Sequence, residues 1–180
     1  VFAIFAGSLV NIPISRIART EALPVDPLAV FGLPGWWPEM HRVRAETIVA
    51  VNVGGCVIPV CLAIYEVVGL SSQPGALFAI AAATAANVAV CYKLAKPVKG
   101  VGIMMPALFP AGVACAAALT LAPTFATPVA FVAGVAGPLV GADLLHLRDV
   151  EQIASGMVSI GGAGTFDGIL LTGILALYLA

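Results

Sequence analysis

Gly75-Ala76-Leu77-Phe78-Ala79-Ile80-Ala81-Ala82-Ala83-Thr84-Ala85-Ala86-Asn87-Val88-Ala89-Val90-Cys91-Tyr92 runs over 75–92 without one charged side chain. As a helix it is about 27 Å long, close to the roughly 30 Å hydrocarbon core of a bilayer. The rest of the 180-residue chain has the same character, being 61% apolar and 9% charged. A water-soluble domain is nearer about a quarter charged. Eight Lys+Arg against nine Asp+Glu give a net charge of -1, which leaves no basic footprint for nucleic acid.

Apolar runs fall at 1–14, 47–68, 75–92, 103–121, 127–147 and 157–180, enough for about six crossings. The expected fold is all-α, a single transmembrane domain over 1–180 whose first helix begins partway. Arg16, Arg19, Arg42 and Arg44, then Lys93, Lys96 and Lys99, then Arg148 occupy alternate connections. The positive-inside rule makes those connections cytoplasmic and puts both ends of the chain on the other side. Residues 15–46 hold Leu23-Pro24-Val25-Asp26-Pro27 and Gly32-Leu33-Pro34-Gly35-Trp36-Trp37-Pro38, which reads as a cytoplasmic or interfacial loop. The first residues lack the charged start and cleavage site of a signal peptide. Cys56, Cys61, Cys91 and Cys115 lie inside apolar runs and read as small buried hydrophobes.

Gly75, Ala79, Ala83, Asn87 and Cys91 recur every four residues, and Gly137/Gly141 and Gly164/Gly168 are GxxxG pairs. Such stripes let helices approach closely in lipid, within one chain or between chains. The expected partners are therefore membrane lipid and other membrane chains or a second copy, with no cofactor.

Of the acids inside apolar runs, two are singled out, Asp143 in the fifth and Asp167 in the sixth. Buried carboxylates in lipid cost several kcal/mol unless paired, neutralised or wet. If the fifth and sixth runs are antiparallel helices, the two acids lie at similar depth and can share a proton. Alternatively each acid takes backbone N–H groups of its own at a helix end. His146 stands three residues after Asp143, a spacing that can hold a metal but also suits a solvated edge. Asn52 and Asn87 read as interhelical hydrogen-bond partners or as the lining of a path. The glycine run 159–168 has no P-loop continuation, so nucleotide binding is not expected.

Asn52-Val53-Gly54-Gly55, Gly100-Val101-Gly102-Ile103, Gly141-Ala142-Asp143-Leu144-Leu145 and Ser159-Ile160-Gly161-Gly162-Ala163-Gly164-Thr165-Phe166-Asp167-Gly168 together resemble a prokaryotic membrane-protein family, domain of unknown function 1614. The resemblance covers most of the chain. It implies a polytopic protein of a bacterial or archaeal cell (inner) membrane and carries no activity with it. At motif level, Asp143, Asp167 and Pro106-Ala107-Leu108 are similar to the presenilin and signal-peptide-peptidase class of intramembrane aspartyl proteases. This implies two catalytic acids with a Pro-Ala-Leu segment beside the substrate. The chain differs from that class at Ala142 and Phe166, and its Pro-Ala-Leu precedes the acids.

Three functional readings result. The first is a non-enzymatic membrane subunit or accessory protein with a structurally important Asp pair. The second is an aspartyl hydrolase using Asp143 and Asp167. The third is a proton- or cation-coupled transporter, its path lined by the acids, Asn52 and Asn87, beside Gly164 and Gly168.

Overall fold

Asn11 and Pro13 stop the first apolar run from being one helix. A proline inside a helix loses a donor and drives the preceding residue toward extended backbone. In the computed structural model, which describes residues 2–25, 39–98, 102–147, 157–162 and 168–180, α1 (Phe2–Gly7) ends early. The chain then extends into β1 (Asn11–Val25), paired antiparallel with β2 (Glu39–Asn52), with a register irregularity between Pro13 and Ser15. β5 (Met157–Ile160) lies parallel to β2 on its other edge, and β3 (Lys96–Val98) pairs with β4 (Gly102–Met104).

The protein is therefore mostly helical but not all-α. The strands form where hydropathy alone suggests helix or loop. Thr47-Ile48-Val49-Ala50-Val51 is rich in β-branched residues, which crowd a helix but suit a pleated surface. Residues 15–25 and 39–46, expected as loop, are the two strands of this ladder. Trp36 and Trp37 lie outside the described residues.

A short π-helical stretch, Val53–Val57, leads from β2 into α2 (Ile58–Gly69). α3 (Pro74–Leu94) comes next, with proline in its first turn and Lys93 in its last, both favourable ends. α4 (Leu108–Leu121) and a 3₁₀ turn (Pro123–Phe125) lead to α5 (Ala126–Pro138), which continues as π-helix over Leu139–Leu144. α6 (Gly168–Leu179) closes the bundle. Among the described residues, two continuous helices, Pro74–Leu94 and Pro123–Leu144, are long and apolar enough to cross a membrane; Val53–Gly69, Leu108–Leu121 and Ile169–Leu179 are shorter and apolar.

α5 is the axis, packed against α2, α3, α4 and α6. Its neighbours turn small residues inward, Ala79 and Ala83 from α3, Ala111, Ala114 and Ala118 from α4, and Ala176 from α6. The large side chains point out, with Phe78, Leu108 and Tyr178 more than 70% exposed. The small-residue stripe of α3 is buried within the chain from Ala79 to Cys91, with Asn87 against α5, while Gly75 is exposed.

Candidate functional site

The sheet sits over one end of the bundle. Val49 packs with Ile17, Ile103, Leu147 and Val158, so β1, β2, β4, β5 and the segment after α5 meet there. Most of the glycine and amide motifs of the sequence gather at this end.

At its centre is an amide knot. Asn52, fully buried at the end of β2, donates from Nδ2 to the Ser8 carbonyl (2.7 Å) and to Asn11 Oδ1 (3.1 Å). Its own Oδ1 accepts from the Gly55 N–H (2.8 Å), an N-cap of the π-helical turn. The hydroxyl of Ser159, on β5, donates to the same Asn11 oxygen (2.6 Å). The backbones beside the knot touch directly. A Cβ on Gly55 would fall inside the Gly161 carbonyl, and Gly161 holds φ +69°, a conformation that favours glycine.

The second part hangs from α5. Pro138 has no N–H for the preceding turn, and the helix widens after it, with the Leu145 N–H reaching back to Val140 O at 3.0 Å. This π-helical stretch carries Asp143, which is half-buried and already engaged. His146 is buried, its Nδ1 3.1 Å from the Gly141 carbonyl and its ring against Tyr92, centroids 4.8 Å apart and planes tilted by 34°. A carbonyl only accepts, so Nδ1 carries the proton. Among the described residues no three His, Cys, Asp or Glu side chains group as a metal site.

The third part is Pro106-Ala107-Leu108 at the start of α4. The Thr172 hydroxyl, buried in α6, donates to the Ala107 carbonyl (3.3 Å), and Leu108 points outward. α6 in turn crosses α5 where a Cβ on Gly134 would stand 2.9 Å from Gly173 Cα. Thus the Pro-Ala-Leu segment touches the helix that begins one residue after Asp167. Asp167 and Gly164 lie outside the described residues, while Gly168 opens α6.

Asn87 belongs to none of this. It is buried between α3 and α5, donates to Ala133 O (2.9 Å) and lies against Gly137, and it shares no hydrogen-bond partner with Asn52. The two amides hold different joints.

Sequence reading missed Asn11, Ser159 and Thr172 as contributors. A short amide between Val10 and Ile12 was the available signal for Asn11, since a polar group there needs a partner.

A family model described as protein of unknown function (DUF1614) matches residues 5–179. The chain belongs to that family. No curated protein and no solved structure matches it. Within this family member, Asn52-Val53-Gly54-Gly55 and Ser159-Ile160-Gly161-Gly162, far apart in sequence, form one contact.

Proposed function

We propose that this protein is a multi-pass protein of a prokaryotic cell membrane whose strand-covered end works as an aspartyl hydrolase. Support for embedding comes from the packing. Alanines fill the interior and large apolar side chains face out, the reverse of a water-soluble core and the pattern that suits lipid. Exposed aromatics favour the helix ends: Tyr65, Phe78 and Tyr178 toward one end, Phe5, Tyr92 and Phe109 toward the other. On α3, Phe78 and Tyr92 are about 21 Å apart along the axis, a spacing suited to two interfacial belts.

One observation carries the hydrolase reading, the Thr172–Ala107 hydrogen bond. It draws the Pro-Ala-Leu segment onto α6, although the sequence places that segment before both acids. Asp143 follows α5, which packs against α6, and Asp167 is the residue just before α6 in the sequence. In this reading the two carboxyls share one proton. The ionised acid takes a proton from water as its oxygen attacks the peptide carbonyl, and the protonated acid gives its proton to the carbonyl oxygen. On collapse the C–N bond breaks: the acid that took water's proton gives it to the leaving nitrogen, and the other acid takes a hydroxyl proton from the intermediate, which leaves the carboxylic acid product and one proton shared by the pair as before.

The test uses the full chain in lipid nanodiscs with a photoreactive hydroxyethylene peptide isostere, a mimic of the tetrahedral intermediate, and a single-span helical peptide as substrate. Wild type should be labelled and should cut the peptide, and Asp143→Asn and Asp167→Asn should each abolish both. Unlabelled, inactive wild type, or undiminished cleavage in either variant, would overturn the reading.

A groove of about 250 Å³ favours the accessory-subunit role as a second reading. It lies between α2 and α5 and is lined only by apolar side chains, among them Val60, Ile64, Val67, Val132 and Val135. In that reading a partner helix fills it, and Ala136→Phe should reduce the native assembly mass in mild detergent. An unchanged mass would count against it.

A further inference from the structure

Val51-Asn52-Val53-Gly54-Gly55 and Val158-Ser159-Ile160-Gly161-Gly162 match in residue type at every position: β-branched, small and hydrogen-bonding, β-branched, Gly, Gly. Each finishes a strand, β2 or β5, and the two strands lie side by side and parallel. Each precedes a helix of the bundle, α2 or α6. The ladder pairs Val49 with Val158 and Ala50 with Ser159, so the copies are offset by two residues from their sequence match. An even offset keeps equivalent side chains on the same face. Accordingly Asn52 and Ser159, the equivalent polar residues, donate to one atom, Asn11 Oδ1.

We infer that the chain carries a duplicated strand–Gly–Gly–helix unit, and that Asn11 is the positioning residue that fixes its second copy against its first. The copies diverge at their glycine pairs. Gly54 and Gly55 lie inside the π-helical stretch that leads into α2, whereas Gly161 and Gly162 form a turn, after which the sequence continues Ala163-Gly164-Thr165-Phe166-Asp167 before α6. The first copy is the anchor and the second precedes the acid. Asn11 supplies the shared acceptor, and no apolar residue can do so. The turn is closed by the Gly162 N–H donating to Ser159 O (3.0 Å). A Cβ on Gly162 would collide with the Ser159 side chain, so the hydroxyl's path to Asn11 requires glycine there.

The consequence for catalysis rests on the hydrolase reading, but the clasp can be tested without it. Hydrogen–deuterium exchange is measured on the full chain in nanodiscs, for the peptide containing Gly161 and Gly162, alongside labelling by the hydroxyethylene probe. Ser159→Ala should speed exchange there about tenfold, the loss of one hydrogen bond at a part-buried site, and Asn11→Leu should do at least as much. Ser159→Thr keeps the hydroxyl and should hold exchange near the wild-type rate. Where wild type is labelled, labelling should fall in Ser159→Ala and return in Ser159→Thr. Unchanged exchange in a folded Ser159→Ala protein would overturn the clasp, as would Ser159→Thr exchanging as fast as Ser159→Ala. Full labelling despite faster exchange would overturn the positioning role. If wild type is not labelled at all, the hydrolase reading fails and the exchange result alone decides the clasp.

Discussion

Asn87 lies directly over Gly137: a Cβ on that glycine would meet the Asn87 amide carbon at 2.8 Å, and the amide nitrogen donates to Ala133 O one turn away at 2.9 Å. The glycine makes room for the amide, and the amide ties α3 to the central helix. Among the described residues nothing donates to Asn87 Oδ1, so within them the joint is only half satisfied.

Gly137→Ala should therefore destabilise the protein by about 1–3 kcal/mol, the usual range for overpacking a tight contact. Asn87→Ala should cost about 1 kcal/mol, the usual net worth of one hydrogen bond between helices. The two changes should not add. With the amide gone, the methyl group of Gly137→Ala has space, and the double variant should be more stable than the sum of the single effects requires. Unfolding by a denaturing detergent measures all four corners of the cycle, and strict additivity would mean that these residues do not share a contact.

Thr172→Val tests the joint between α6 and the start of α4. Valine keeps the shape and removes the donor to Ala107, so the stability loss should be under about 1 kcal/mol for a bond as long as 3.3 Å. The effect on the hydroxyethylene probe should be larger in proportion, because the Pro-Ala-Leu segment loses its tether to α6. Equal probe labelling in wild type and Thr172→Val would show that the bond serves packing only.

The helices are legible from hydropathy because apolar runs long enough to span a bilayer have few alternatives. The strands are not. Val10, Ile12 and Ile14, then Ile48, Val49 and Val51, and then Val158 and Ile160 all raise hydropathy just as helical residues do, so each run reads as one continuous helix. Their β-branching and the breaks at Asn11 and Pro13 carry the opposite signal locally. The site is legible in part. Its glycine and amide motifs stand out in sequence, but their meeting depends on β2 and β5 lying side by side, a pairing that no local pattern announces.

His146 makes a prediction about protonation. Its Nδ1 faces the Gly141 carbonyl, which fixes the neutral ring as the Nδ1–H tautomer. Nitrogen-15 NMR of the labelled imidazole should show, for the neutral ring, the proton on Nδ1 rather than on Nε2. His146→Phe should keep a ring against Tyr92 while losing the bond to Gly141, at a cost of about 1 kcal/mol in thermal unfolding. His146→Ala should cost more, since both contacts go. A spectrum dominated by the Nε2–H form would place the ring differently from the geometry described.

Cys61 provides the sharpest test of the bilayer. It is exposed on α2, on the outer surface with Leu62, Ile64 and Tyr65, while Cys56, Cys91 and Cys115 are buried. If that surface met water, a charged maleimide would modify one thiol of the folded protein quickly and leave three. If it meets lipid tails, the reagent cannot reach any of the four, because outward exposure then leads only into hydrocarbon. The expected result in sealed vesicles is no modification by the charged reagent from either side, and then labelling of all four thiols once the protein is unfolded in a denaturing detergent. A Cys61→Ser variant should then lose one of the four. Rapid labelling of Cys61 in intact vesicles would place the outer face of α2 in water, and the case for a membrane-embedded bundle would fail at the helix where it is easiest to check.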